Sequence, residues 1–107
     1  GPVGQSYEVV MGAGPDQFAV HQSYPNPFNP STMLKVDLSE ITRLSVKVFD
    51  ASGREITDLV DREMMPGYHQ FRWNGKDERG YSVASGVYFF RVRTPSSLKT
   101  VKAILLR

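Results

Sequence analysis

The residues able to do chemistry are few. His21 and His69 stand far apart in the chain. A histidine pair holds a metal only where the fold adds a third ligand, so the simpler reading is two surface or partly buried imidazoles. No Gly-x-Ser-x-Gly elbow is present, and Ser85 in Ala84-Ser85-Gly86 lies in a turn with no base beside it. The chain has no cysteine, which excludes thiol catalysis, zinc–thiolate sites and a disulfide framework. The acids Asp58, Asp61 and Glu63 cluster, as do Asp77 and Glu78. Paired carboxylates can serve as acid and base in glycoside cleavage. Here they sit among Arg54, Arg62, Lys76 and Arg79, which points to a solvated, salt-bridged rim. Asn74-Gly75-Lys76-Asp77 lacks the Asp-x-Asp-x-Asp-Gly pattern of a calcium loop and reads as a turn capped by Asx side chains. No catalytic residue, metal site or cofactor is expected.

Two features suit binding better. Tyr68, Tyr81, Phe49 and Phe89 could face outward as a sugar platform, although most aromatics of a β-protein serve the core or strand pairing. Residues 91–107 hold Arg91, Arg93, Lys99, Lys102 and Arg107 and no acid. Such a run attracts phosphates or anionic glycans; it also protects a sheet edge from aggregation.

The elements that would carry these residues are strands. Leu34, Val36 and Leu38 alternate with Lys35 and Asp37, and Leu44, Val46 and Val48 alternate with Ser45 and Lys47. Strict alternation gives a strand with one face inward and one wet. Asp50-Ala51-Ser52-Gly53 is a turn. Residues 54–61 space Ile56, Leu59 and Val60 as a bulged strand or one helical turn, the strand being preferred. Pro66-Gly67 turns into Tyr68–Asn74, where His69, Phe71 and Trp73 share a face. Gly86 opens Val87–Arg93, apolar on both faces near its start and therefore central. Thr94–Ser97 is a hairpin loop, and Leu98–Leu106 is the last strand. Tyr24-Pro25-Asn26-Pro27-Phe28-Asn29-Pro30 must be a rigid extended loop, since each proline fixes its own φ and restricts the residue before it. Tyr24 and Phe28 are its expected anchors on the core. About seven strands with regular turn signals imply an all-β, immunoglobulin-like sandwich of two antiparallel sheets, cored by Trp73, Phe71, Phe90 and Tyr88.

A length of 107 residues, with 40% hydrophobic and 22% charged residues, makes this one ordinary globular domain with a tail. The net charge of +2 does not mark a nucleic-acid binder. Residues 1–16, punctuated by Gly4, Gly12, Gly14 and Pro15, read as a cloning scar and linker; Tyr7–Met11 is either an edge strand or the end of a spacer. The start at Gly1-Pro2 lacks the features of a signal peptide and suggests a piece cut from something longer. The domain proper is expected over 17–107.

Phe18-Ala19-Val20-His21-Gln22-Ser23-Tyr24-Pro25-Asn26-Pro27-Phe28-Asn29-Pro30-Ser31-Thr32 closely resembles the opening of the type A C-terminal sorting domain of the type IX (Por) secretion system. Further similar stretches follow: Val46–Glu55, Pro66–His69, Phe71–Asp77, Gly80, Val83–Arg91 and Lys102–Arg107. The resemblance covers 18–107. Trp73-Asn74-Gly75-Lys76-Asp77 and Gly86-Val87-Tyr88 are also similar to the immunoglobulin-like domain of flagellar hook-capping proteins. The proline string and the Lys102-Ala103-Ile104-Leu105-Leu106-Arg107 ending favour the sorting family. Phe18 and Ser23 depart from its usual Leu and Asn.

That resemblance implies a non-catalytic module that ends secreted enzymes and adhesins of Bacteroidetes-like bacteria. Such a module directs its cargo from the periplasm through the outer membrane to the cell surface. The implied partners are the outer-membrane secretion machinery, the upstream cargo in cis and anionic surface lipopolysaccharide; a homodimer is permitted by the long last strand. Lys102, Ala103, Ile104, Leu105, Leu106 and Arg107 would carry sorting and docking. Tyr24, Pro25, Asn26, Pro27, Phe28, Asn29, Pro30, Gly53, Trp73, Gly75, Asp77, Gly86 and Tyr88 would be structural. An extended terminal strand can dock by strand addition. Two rival functions are a carbohydrate-binding accessory module of a glycoside hydrolase and a hook-cap-like assembly domain.

Overall fold

The computed structural model describes residues 14–107. Most of the expected linker 1–16, including Tyr7–Met11, lies outside the described residues. The elements are β1 (Ala19–Val20), β2 (Thr32–Leu38), β3 (Thr42–Asp50), β4 (Glu55–Met64), β5 (Gly67–Trp73), β6 (Gly86–Thr94) and β7 (Ser97–Leu105). One sheet has the order β1-β2-β5, the other β4-β3-β6-β7. All neighbours pair antiparallel, as an immunoglobulin-like sandwich requires.

Alternation sets the faces. In β2, Leu34, Val36 and Leu38 are buried while Lys35 is exposed; in β3, Leu44, Val46 and Val48 face the same core from the opposite sheet. β6 is internal, between β3 and β7, and its apolar start follows from that place: Tyr88, Phe90 and Val92 point inward, and Val87 and Phe89 cover the outer face. The ambiguous segment is strand. β4 runs to Met64, beyond the expected end, and register shifts at Val46/Lys47 and Val48/Phe49 absorb the irregular spacing of Ile56, Leu59 and Val60.

Trp73 joins the two layers. Its ring centroid lies 5.5 Å from that of Phe28, 5.0 Å from Tyr88 and 6.1 Å from Phe90. Burying each such side chain contributes about 1.5–3 kcal/mol, which stands in for the missing disulfide. Phe28 is an anchor as expected, at 2% exposure, but Tyr24 is not: its side chain is 79% exposed. The Tyr24 and Met33 backbones exchange hydrogen bonds of 3.0 and 2.9 Å. That bridge turns Tyr24 to the outer face, and alternation sends Ser23 inward instead. The Ser23 hydroxyl is buried without a hydrogen-bond partner among the described residues.

Candidate functional site: the terminal strand and its clasp

β7 is an edge strand with β6 as its strand neighbour, so its outer backbone groups need other partners. The proline loop supplies them over the second half. The Asn26 side chain donates through Nδ2 to the Lys102 carbonyl at 3.0 Å and accepts through Oδ1 from the Ile104 amide at 2.9 Å. The Phe28 amide donates to the Ile104 carbonyl at 2.8 Å, and the Leu106 amide donates to the Phe28 carbonyl at 3.0 Å. Asn26–Phe28 thus lies along 102–106 as a short parallel strand would, bridging Phe28 to Leu105. The bonds before Pro25, Pro27 and Pro30 are cis.

The last residue closes the other end. The Arg107 amide donates to Ser85 Oγ at 2.8 Å, Nε to the Val83 carbonyl at 2.7 Å, and Nη2 to the Gly75 carbonyl at 2.6 Å. Of the six expected docking residues, Ala103 and Leu105 are core, and Ile104 is half-buried. Lys102, Leu106 and Arg107 are exposed. The backbone from 102 to 106 is therefore already engaged, and strand addition there would have to displace the proline loop.

The remaining motif residues build the loops that Arg107 reaches. Trp73 Nε1 donates to the Lys76 carbonyl at 2.9 Å. Asp77 Oδ1 accepts from the Arg79 and Tyr81 amides at 2.9 and 3.0 Å, so the Asx cap belongs to the turn that Asp77 opens and not to the one expected over Asn74–Asp77. Gly75 has φ +72°. Tyr88 donates its hydroxyl to the Ala84 carbonyl at 2.6 Å, the geometry of a tyrosine corner. Burial pushes its phenol up, and the nearby Asp50 carboxylate adds to the shift. Asp50 itself is held below the ordinary carboxylate value by hydrogen bonds from the Ser52 hydroxyl and the Arg54 amide.

The other candidates disperse. His21 Nε2 lies 2.8 Å from Asp37 Oδ2, and His69 Nε2 lies 2.7 Å from the Met65 carbonyl. Among the described residues no three His, Asp or Glu side chains gather as a metal site. Asp61 pairs with Arg43 at 3.0 Å. The aromatics form no single platform. Tyr68 faces out with Tyr24 on the three-stranded sheet, Phe49 and Phe89 lie on the far face of the other sheet, and Tyr81 sits in a loop. Across that far face runs a groove of about 540 Å³. It gathers Arg91 and Arg93 with Arg43 and Lys47, which the sequence reading left out. Cations at even spacing on two strands, 43 and 47 beside 91 and 93, were the available signal.

The folded chain is thus an immunoglobulin-like sandwich whose last strand is clasped by a proline loop. The profile of the FlgD Ig-like domain family matches residues 27–97, and the chain belongs to that family. The match stops where the last strand begins. Three solved structures are similar. Dimeric latent PorU from Porphyromonas gingivalis has a TM-score of 0.63 and 17% identity over 87% of this chain and 10% of that one. PorZ, an essential surface component of the type IX secretion system of the same organism, has a TM-score of 0.53 and 28% identity over 86% of this chain and 12% of that one. FlgD from P. aeruginosa has a TM-score of 0.57 and 19% identity over 86% of this chain and 74% of that one. The chain thus corresponds to about a tenth of the PorU and PorZ chains. The same fold is thus found in FlgD and in a type IX secretion component, the two groups that the motifs resemble. No curated protein matches the chain in sequence.

Proposed function

We propose that residues 17–107 are a non-catalytic sorting domain, preceded by a linker, that directs an attached cargo through the type IX secretion machinery to the cell surface. One observation carries this reading. The two segments most specific to the sorting resemblance, Pro25–Pro30 and Lys102–Arg107, are far apart in sequence and meet as one hydrogen-bonded unit. The 28% identity with PorZ supports it. In this reading the signal is legible only in the folded domain. In it, Ala103 and Leu105 hold the strand in the core, Arg107 ties its end to the Gly75 and Val83 carbonyls, and the exposed Lys102 and Leu106 side chains are offered to the machinery. Anionic lipopolysaccharide would be the surface partner.

The test fuses 17–107 to an inert reporter in a bacterium with a type IX system. Reporter at the cell surface is expected; reporter retained in the periplasm overturns the proposal. Deleting 102–107 would remove core residues, so the terminal strand is better probed by Lys102→Gln with Leu106→Ser. Reduced export with an unchanged melting temperature is expected, and full export removes the exposed side of the strand from the mechanism.

A hook-cap-like assembly domain is the second reading, drawn from the family match over 27–97 and the coverage of 74% of FlgD. It predicts self-association of the purified chain and no movement of the reporter.

A further inference from the structure

We propose that the groove on the outer face of the four-stranded sheet binds an acidic polysaccharide, with Arg91 and Arg93 holding its anionic groups. Where such a glycan is met rests on the surface location proposed above; the binding itself rests on the groove alone.

The charge arrangement calls for an anion from outside. In the cross-strand register Lys47 stands opposite Arg91, and Ser45 opposite Arg93. Like charges directly opposite destabilise a sheet. Arg43 and Lys47 have internal partners, Asp61 at 3.0 Å and Glu55 at 3.7 Å. Among the described residues no carboxylate pairs with Arg91 or Arg93. Arg91 packs over the Phe49 ring, with its guanidinium carbon 4.0 Å from the centroid. That contact orients the fork without neutralising it. Positions 91 and 93 lie on one face of one strand, about 6–7 Å apart along it. Two guanidinium groups are thus presented as a pair, each shaped for bidentate contact with a carboxylate, phosphate or sulfate.

The remaining lining selects a sugar chain over other polyanions. Glu55 and Asp61 share the groove with the hydroxyls of Ser45 and Thr94. Carboxylates and hydroxyls exchange hydrogen bonds with the ring hydroxyls of a sugar chain, groups that the phosphodiester run of a DNA backbone does not offer. A single-stranded nucleic acid would stack its bases on free aromatic faces, and the Phe49 face is taken by Arg91. An acidic peptide would gain no main-chain ladder here, since the groove lies on the face of the sheet and not at its edge. A volume of about 540 Å³ accommodates a few sugar units rather than a flat bilayer.

Isothermal titration of the whole chain at low salt provides the test. The probes are polygalacturonate, dextran sulfate, neutral dextran, poly-glutamate and anionic lipid vesicles. Binding of the two acidic polysaccharides, weakened by added salt, is expected, with no heat from neutral dextran. Arg91→Gln with Arg93→Gln should weaken binding about tenfold or more. Lys35→Gln with Arg72→Gln, on the other sheet, should not. Backbone amide shifts of the unaltered chain should move at Ser45, Lys47, Arg91 and Arg93, a readout that does not depend on the variant folding. Silence with both acidic polysaccharides, equal binding of neutral dextran, tighter binding of poly-glutamate or vesicles, or shifts confined to 99–107 would each overturn the proposal. A chain that binds these glycans yet fails to export a reporter refutes the sorting role alone.

Discussion

The side-chain amide of Asn26 does for Ile104 what a neighbouring strand would do. It accepts the Ile104 amide at 2.9 Å and donates to the carbonyl two residues earlier, Lys102, at 3.0 Å, across more than seventy residues of chain. The spacing of its oxygen and nitrogen matches alternate outward groups of an edge strand. Phe28 continues the edge for one more residue with its own backbone. A bare edge is a liability, and half of this one is closed by three residues of loop.

Asn26→Ala removes both side-chain bonds while leaving Phe28 in the core. We expect a loss of about 1–2 kcal/mol in urea unfolding. Hydrogen exchange at the Ile104 amide should accelerate more than at amides shared with β6. Unchanged exchange at Ile104 would show that the clasp does not hold the edge in solution.

Trp73 touches Phe28, Tyr88 and Phe90 and is almost fully buried. Trp73→Ala should cost about 3–5 kcal/mol, a large share of the stability of a domain this size. Since Trp73 is the only tryptophan, its emission in the unaltered chain should be blue-shifted when folded and move red on unfolding. A red emission from the folded chain would contradict its place between the sheets.

Gly53 and Gly75 both have positive φ, +89° and +72°. A Cβ on Gly53 meets open space, so Gly53→Ala should cost only the backbone strain, about 1–2 kcal/mol. A Cβ on Gly75 would stand 2.8 Å from Arg107 Nη2 and 3.2 Å from the Pro30 carbonyl. Gly75→Ala should therefore cost more than Gly53→Ala. It should also be non-additive with Arg107→Ala by about 0.5 kcal/mol or more, measured in a double-mutant cycle.

Asp50 has a lowered folded-state pKa because Ser52 and Arg54 donate to its ionised form. Its contribution is present above the unfolded carboxylate value and is lost as the pH falls through the folded one. Chemical denaturation below about pH 4 should show a steeper loss in the unaltered chain than in Asp50→Asn. Tyr88, raised first by burial, acts at the other end. Its contribution is present below the ordinary phenol value and falls as the pH rises towards the folded one. Ultraviolet titration should find its phenol ionising above the ordinary tyrosine value.

Two-residue alternation was enough to place most strands, because the side-chain period of a strand is a local property of the backbone. The same holds for the turns at Asp50–Gly53 and Pro66–Gly67 and for the hairpin at Thr94–Ser97, where Gly, Pro and Asx residues act within a few positions. Apolar patterning on both faces even identified β6 as internal. Other features depended on where distant segments come to rest. The sequence showed that Pro25–Pro30 is rigid, yet not that Asn26 reaches Lys102 and Ile104, nor that Tyr24 turns outward while Ser23 turns in. Arg107 looked like one more cation of a basic tail until folding brought Gly75 and Val83 beneath it. Arg43 and Lys47 joined Arg91 and Arg93 only through the pairing of β3 with β6. Local periodicity determines which residues face inward; which backbone groups and charges become neighbours is decided when the sheets pair and stack, because those contacts span the whole chain.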